Sequence, residues 1–337
     1  MTEIIRVGVI GAGRMGKIRV DNFSRIPGVE VAALATPYEA ETYEWARASG
    51  IPKITEDANE ILQDDSIQAV AICSPTSTHS EYVIEAAKQG KHIFCEKPIA
   101  NTVAETKQVL EVVTEAGIMF QVGFNRRYDS NFLKIKELCT NGELGDIHIV
   151  NISSRDPARP RIEFVKTSGG MFVDMMIHDF DMIRYLTGAS IEEVYAYGDA
   201  LIDPRIGELG DVDTCIAIVK LSNGGIGTID NSRETHYGYD QRVEVFGSKG
   251  SAYAKNKTSH TVEISTKDGV EKDRPLYYLV ERYLDSFRVE TEAFIKALRE
   301  GTSPMVTGDD ALQALLGSVA ATISFKEKRP VRISELV

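Results

Sequence analysis

The sequence predicts an α/β protein in which an N-terminal doubly wound parallel sheet precedes an α+β domain with a large, mostly antiparallel open sheet. Three observations carry that expectation. Continuous apolar runs alternate with helical stretches over the first third of the chain, as strands covered on both faces do. A glycine-rich turn, Gly11-Ala12-Gly13-Arg14-Met15-Gly16, joins the first of those strands to the first helix. Beyond Gly123 short strands dominate, punctuated by the hairpin signals Asn223-Gly224 and Asp268-Gly269. A chain of 337 residues exceeds what one ordinary core uses, so two domains are expected, 1–123 and 124–337.

Composition narrows the function classes. A formal net charge of −12 argues against nucleic acid or an anionic membrane surface as a partner, since either would want a clustered basic face. No apolar run approaches the ~18 residues needed to span a bilayer. The opening MTEIIRVGVIGAG reads directly as a strand and has no signal pattern. Cys73, Cys95, Cys139 and Cys215 show neither CxxC spacing nor a repeat, so reduced, buried cysteines are expected and no metal site. The expected class is a cytoplasmic enzyme.

Taken in order, the apolar run Ile4–Ile10 is the first strand, and Met15, Ile18, Val20 and Phe23 mark the helix after the glycines. Strand, glycine turn and helix together are the context that makes GxGxxG a dinucleotide-binding, Rossmann-type signal. The glycines allow a tight turn and close backbone approach, and the helix start offers unpaired N–H groups to a pyrophosphate. Gly11, Gly13, Arg14, Met15 and Gly16 are therefore cofactor-binding candidates. The second strand, Glu30–Ala35, ends at Thr36, where such folds place an acid. A carboxylate there would grip the adenosine ribose of NAD and repel the 2′-phosphate of NADP. NAD is the expected cofactor, with NADP left open because Thr36 has no such charge.

A helix over 39–49, a strand near Ile54, a helix around 58–62 and a strand over Ala69–Cys73 continue the alternation. The last empties into Ser74-Pro75-Thr76-Ser77-Thr78-His79. Ligands bind at the carboxyl ends of parallel strands, which puts Ser74, Pro75 and Thr76 on the cofactor side. His79 either contacts the cofactor or faces solvent from its helix. The next strand, His92–Cys95, runs into Glu96-Lys97-Pro98. Glu96 and Lys97 become candidates by their place on the same sheet edge, against the alternative of an ordinary surface lysine. A helix over 103–116 and a strand over Met119–Gly123 complete the first domain.

In the second domain the sequence predicts a helix over 130–141 and strands over 147–154, 194–201, 215–221, 225–230, 243–246 and 261–266. Two long helices, 279–300 and 309–326, and a short strand at 331–333 close it. Alternating Ile216, Ile218 and Ile226 leave one sheet face apolar, so a second subunit is expected to cover it. The polar, aromatic loop RETHYGYDQ, Arg233 to Gln241, interrupts that sheet. Its His236 and Tyr237 are either substrate contacts or loop packing.

The stretch Ser168–Asp181, SGGMFVDMMIHDFD, reads as one buried helix. At helical spacing Asp174, His178 and Asp181 share a face among apolar neighbours. Two carboxylates and an imidazole in such a place either satisfy one another or line a polar cavity.

GAGRMG, Glu96-Lys97-Pro98 and SGGMFVDMMIHDFD together resemble the glucose–fructose oxidoreductase and inositol dehydrogenase family. Phe124-Asn125-Arg126-Arg127-Tyr128, Ser154-Arg155-Asp156-Pro157 and Lys328-Arg329-Pro330-Val331 resemble its inositol 2-dehydrogenase branch in particular. The resemblance implies a catalytic set of Lys97, Asp174 and His178, and dimers or tetramers built through the second sheet.

Oxidising an alcohol with a nicotinamide requires the hydroxyl proton to leave as hydride departs from the same carbon, and a histidine with an unperturbed pKa of about 6.5 suits that task. His178 is thus the expected general base. Asp174 would fix its tautomer or hold a substrate hydroxyl, and Lys97 would stabilise the developing alkoxide. Asn125, Arg126, Asp156 and Asp181 are candidate hydroxyl binders, which favours a polyol, an inositol above all and a glucose-type aldose next. Two other classes stay open: a metal-dependent lyase or hydrolase using Asp174, His178 and His236, and a nucleotide-binding protein without turnover.

Overall fold

A computed structural model describes residues 4–337; Met1, Thr2 and Glu3, counted in the expected first domain, lie outside the described residues. The chain forms two compact units, and neither is continuous in sequence. One runs to Asn125 and resumes over Asp285–Gln313; the other comprises Arg126–Leu284 and Ala314–Val337.

The first unit alternates strand and helix: β1 Ile5–Ile10, α1 Arg14–Ser24, β2 Val29–Ala35, α2 Ala40–Ala48, β3 Lys53–Thr55, α3 Asn59–Leu62, β4 Ala69–Ile72, α4 His79–Lys88, β5 His92–Glu96, α5 Val103–Ala116 and β6 Phe120–Gly123. The six strands pair in parallel in the order β3-β2-β1-β4-β5-β6. Strand order reverses between β1 and β4, and a doubly wound sheet opens its ligand crevice at the carboxyl ends beside that reversal. Val7, Val9, Leu34, Ala69, Ala71 and Phe94 fill the core with Phe294 and Ile295 from the later segment. Full burial of each large apolar side chain contributes about 1.5–3 kcal/mol.

A charged cluster crosses this core. Arg19 is fully buried, donating from Nε and Nη2 to Glu96 Oε1 at 3.0 and 2.8 Å, and from Nη2 to Glu290 Oε2 at 2.5 Å. Its Nη1 reaches the Phe287 carbonyl and Thr291 Oγ1, and its guanidinium lies 4.2 Å over the Phe94 ring. Burial pushes the Glu290 carboxyl up to about 8, with Arg19 opposing and Glu96 adding to the rise.

The second unit contains α6 Ser130–Thr140, β7 Ile147–Arg155, α7 Ile162–Val165, α8 Met171–Asp174, α9 Ile177–Thr187, β8 Ile191–Asp199, α10 Pro204–Glu208, β9 Thr214–Leu221, β10 Ile226–Ser232, β11 Asp240–Gly247, β12 Gly250–Ala254, β13 Glu263–Thr266 and β14 Gly269–Lys272. Helices α11 Leu279–Glu300 and α12 Gly308–Glu327 follow in the chain, their residues 285–300 and 308–313 counted in the first unit, and strand β15 Val331–Arg332 ends the second. Seven strands make one mixed sheet, β12-β11-β7-β10-β9-β8-β15, in which only β7 and β10 run parallel. Two strands here, β12 and β14, have no counterpart among the strands read from the sequence, and β8 starts at Ile191 rather than Val194. β13 and β14 form a separate hairpin about Asp268-Gly269.

One face of the large sheet is packed. Gly227 on β10 lets Ile183 of α9 approach so closely that a Cβ there would lie 2.8 Å from its Cδ1. The opposite face stays open, with Ile149, Tyr197, Ile216, Ile218, Ile226, Phe246 and Tyr253 all exposed.

Candidate active site

In the first unit the glycine turn is shaped by contacts between backbones. Gly11 has φ +97° and sits so close to the β4 exit that a Cβ would meet Ser74 N at 2.6 Å. A Cβ on Gly16 would lie 1.8 Å from Gly11 O. Gly13 differs: a Cβ there meets nothing within 4 Å, and its backbone starts α1 without a side-chain cap. Two glycines therefore allow the turn to close, and the third leaves open space over the first-turn N–H groups of an eleven-residue helix. That is the arrangement an anionic pyrophosphate needs. Arg14 is exposed and Met15 partly so at this helix start. Thr36 is nearly buried, its N–H bonded to Thr55 O at 2.9 Å, and Tyr38 beyond it is exposed.

The turns after β4 and β5 carry the other candidates of this unit. Ser74 and Thr76 are partly exposed and Pro75 is exposed; the Ser74 and Thr78 hydroxyls lie 2.7 Å apart. His79 neither faces solvent nor lies open to a cofactor, which corrects both sequence readings. It is 1 % exposed, with Nδ1 2.8 Å from Pro98 O and Nε2 2.9 Å from Ser74 O. The physical reason is local: the two turns need a polar bridge between their carbonyls, and the first residue of α4 lies within reach of both. Glu96 directs its carboxylate to Arg19, as an internal counter-ion. Lys97, the next residue, is partly exposed, and Asn125 is buried with its amide on Ser286 Oγ at 3.1 Å.

In the second unit the expected single helix over Ser168–Asp181 is broken. Asp174 ends α8, and His178 lies in the first turn of α9. Between them His178 N bonds Met175 O at 3.3 Å and Asp179 N bonds Met176 O at 2.9 Å, tighter i→i+3 bonds that reset the helical phase. Both Asp174 and His178 are partly exposed. Asp181 is wholly buried and chelated by Arg127, with Nε 3.0 and 3.1 Å from its two oxygens and Nη2 2.6 Å from Oδ1. The expected stripe thus parts into two partly exposed groups and one internal anchor.

Arg126 is placed inside as well. Its Nη1 donates to Asp179 Oδ1 at 2.5 Å and to Ser154 Oγ at 3.0 Å; Ser154 and Asn231 also donate to Asp179. Burial raises the Asp179 pKa, with Arg126 opposing; burial works against the Arg126 charge too, but Tyr283 and Asp179 outweigh it. Arg126 and Asp181, expected as hydroxyl binders, are thus members of buried ion pairs, because an apolar helix carrying two acids needs two counter-ions close by. Asp156 is partly exposed, its N–H on Ser232 O at 2.9 Å. His236 is exposed in its loop; Tyr237 accepts from Arg155 at 3.2 Å and donates to Asp240 at 2.7 Å. Among the described residues no three His, Cys, Asp or Glu side chains are grouped to hold a metal ion.

Three residues outside the sequence candidates matter here: Arg127, Asp179 and Arg233. The first two had a legible signal, since adjacent arginines at 126 and 127 match acids at 179 and 181. Arg233 had only its place just after a strand. Its side chain is 3 % exposed and its Nη1 donates to Asp174 Oδ2 at 2.9 Å.

Comparison with known proteins gives consistent results. One family model, described as an oxidoreductase family with an NAD-binding Rossmann fold, matches residues 5–124; another, described as the C-terminal alpha/beta domain of an oxidoreductase family, matches 136–333. The chain is 48% identical over 333 residues to "Uncharacterized oxidoreductase YrbE" of Bacillus subtilis, covering 99% of this chain and 98% of that protein. It is 44% identical over 333 residues to the myo-inositol 2-dehydrogenase of Thermotoga maritima, covering 99% and 100%. A crystal structure of scyllo-inositol dehydrogenase from Lactobacillus casei with bound NAD(H) and scyllo-inositol superposes with a TM-score of 0.92 at 29% identity, covering 98% and 100%.

Proposed function

This chain belongs to the GFO/IDH/MocA oxidoreductase family, with its NAD-binding Rossmann fold and C-terminal alpha/beta domain, and from that premise we propose that it oxidises a ring hydroxyl of a cyclic polyol, myo- or scyllo-inositol, to the ketone. The observation that carries the reading is likeness along 99% of the chain to a myo-inositol 2-dehydrogenase. A glycine turn of the right build and a partly exposed Asp174 and His178 support it.

The residues present fit NAD. Gly11, Gly13 and Gly16 supply the backbone cradle, and Ser74, Pro75 and Thr76 flank it at the neighbouring strand exit. When bound, the nicotinamide supplies the hydride acceptor. The remaining work falls to side chains. His178 takes the hydroxyl proton as the carbon–hydrogen bond breaks, contributing roughly 10²–10⁴ in rate. Asp174 orients that imidazole or holds a neighbouring hydroxyl, and Lys97 stabilises the alkoxide that develops on the reacting oxygen. Asn125, Asp156, His236 and Tyr237 remain our candidates for the other hydroxyls. Asp181 and Arg126 instead hold the helix that presents His178.

We also place the enzyme in a homo-oligomer, dimer or tetramer, and in the cytoplasm. The open row of Ile216, Ile218, Ile226, Phe246 and Tyr253 supports a second copy on the sheet, and four free cysteines suit a reducing compartment. Ile218→Asp should lower the mass seen by light scattering to that of a smaller assembly; an unchanged mass would remove this face as the interface.

A screen of inositols, aldoses and sugar alcohols against NAD and NADP, following reduced nicotinamide, tests the function. Turnover with an inositol and NAD is expected. Turnover with an aldose alone would move the assignment to a sugar dehydrogenase, and none with any polyol would leave a binding protein.

A further inference from the structure

We infer that Arg233 is a positioning residue for the proposed oxidation, holding Asp174 as a carboxylate in one fixed orientation four residues before His178. The inference rests on the reading of Asp174 and His178 given above and concerns what sets their geometry.

Helix α8 is four residues long, a single turn, and so short a helix does not sustain itself. Its place depends on tethers at its ends. At the start, Asp211 Oδ1 accepts the Met171 N–H at 2.9 Å, directly after Gly169 and Gly170, whose φ values of +86° and +84° turn the chain into the helix. At the finish, Arg233 Nη1 holds Asp174 Oδ2 at 2.9 Å. The second tether fixes the last residue of the turn just before the break at Met175 and Met176.

Arg233 is itself anchored. Its N–H donates to Asp213 O at 2.8 Å, and the residue before it, Ser232, accepts the Asp156 N–H at 2.9 Å, so the end of β10 is stitched on both sides. The side chain is 3 % exposed while that of Asp174 is 19 % exposed. A buried guanidinium thus holds a carboxylate that is itself partly exposed. A guanidinium stays charged, and buried as it is, it has little freedom to move, so this one charge-assisted hydrogen bond holds Oδ2 of the carboxylate at a fixed point. Burial opposes the charge on Arg233, but Asp174 first and Asp156 next more than compensate, which accords with a cation kept for its acidic neighbours.

The test is a double-mutant cycle on the full-length enzyme with NAD and the inositol it turns over, combining Arg233→Met, and separately Arg233→Lys, with Asp174→Asn. If Arg233 acts through Asp174, Arg233→Met lowers kcat roughly tenfold or more with NAD Kd and polyol KM nearly unchanged, and adds less than about threefold in the Asp174→Asn background. Arg233→Lys should fall between Met and wild type, since lysine restores the charge on a shorter, more flexible stem. Equal losses in both backgrounds would overturn the inference and leave the proposed function standing. Wild-type turnover by Asp174→Asn would overturn both. Should Arg233→Met fail to fold, Arg233→Lys decides: a kcat deficit that vanishes in the Asp174→Asn background supports the role, and an unchanged kcat refutes it.

Discussion

The glycine turn of Gly11–Gly16 and the segment from Met171 to Asp181 are both short motifs, yet they are built in opposite ways. The turn is specified by the absence of side chains: Gly16 admits Gly11 O, and Gly11 admits the backbone of Cys73 and Ser74. The segment is specified by side chains that come from far along the chain, Arg127 for Asp181, Arg126 and Asn231 for Asp179, Arg233 for Asp174. Backbone motifs of the first kind survive changes elsewhere. Motifs of the second kind fail one partner at a time, and each failure has its own signature.

The sharpest form of that contrast separates chemistry from binding. His178→Ala and Lys97→Ala should each lose roughly 10²–10⁴ in kcat while NAD affinity measured by fluorescence titration barely moves. Loss of NAD affinity in both would place them with the glycine turn.

Next in size, Asp181→Asn removes the carboxylate that chelates the buried Arg127 and should cost about 3–5 kcal/mol of stability. Denaturant unfolding reads it directly. A stable variant that had lost only polyol affinity would return Asp181 to the hydroxyl binders.

Within the turn, Gly16→Ala forces a shift of backbone and should destabilise the free protein by about 1–3 kcal/mol. Gly13→Ala should leave its melting temperature unchanged and weaken NAD instead, because its Cβ enters open space. Equal behaviour of the two variants would break the division between closing the turn and receiving the phosphates. A smaller effect is expected for Thr36→Asp, which should raise the NAD over NADP ratio of kcat/KM by about tenfold, since a carboxylate grips the ribose and repels a 2′-phosphate. An unchanged ratio would mean the ribose is read elsewhere.

The pH dependence of stability supplies a separate handle, and it concerns Glu290. Its folded pKa, about 8, exceeds the ordinary 4.5, so its protonated form favours folding. That contribution is full below about pH 4.5 and fades as pH rises through 8. Glu290→Gln should flatten the fall in stability across that window; a slope equal to wild type would show that the cluster around Arg19 titrates elsewhere.

The same contrast explains what could be read from the residues alone. Parallel strands, the glycine turn and the hairpin at Asp268-Gly269 follow from local pattern, and the mixed second sheet followed from alternation and turns. The break at Met175 was not legible, because Met-Met-Ile in sequence looks like uninterrupted helix and the tethers at the two ends of α8, Asp211 and Arg233, lie 37 and 59 residues beyond Asp174. His79 was misread for a related reason. Its two ring nitrogens lie against backbone carbonyls, which leave no mark in sequence.

The central claim, that hydride passes from a ring carbon of an inositol to the nicotinamide, is tested most directly with myo- or scyllo-inositol deuterated at every ring carbon. Purified protein, this substrate and NAD are incubated and the reduced cofactor is examined by mass spectrometry. The expected result is one deuterium in each reduced cofactor, matched by one ketone formed, at a rate slower than with unlabelled inositol. Reduced cofactor without deuterium, or no reduced cofactor at all, would contradict it.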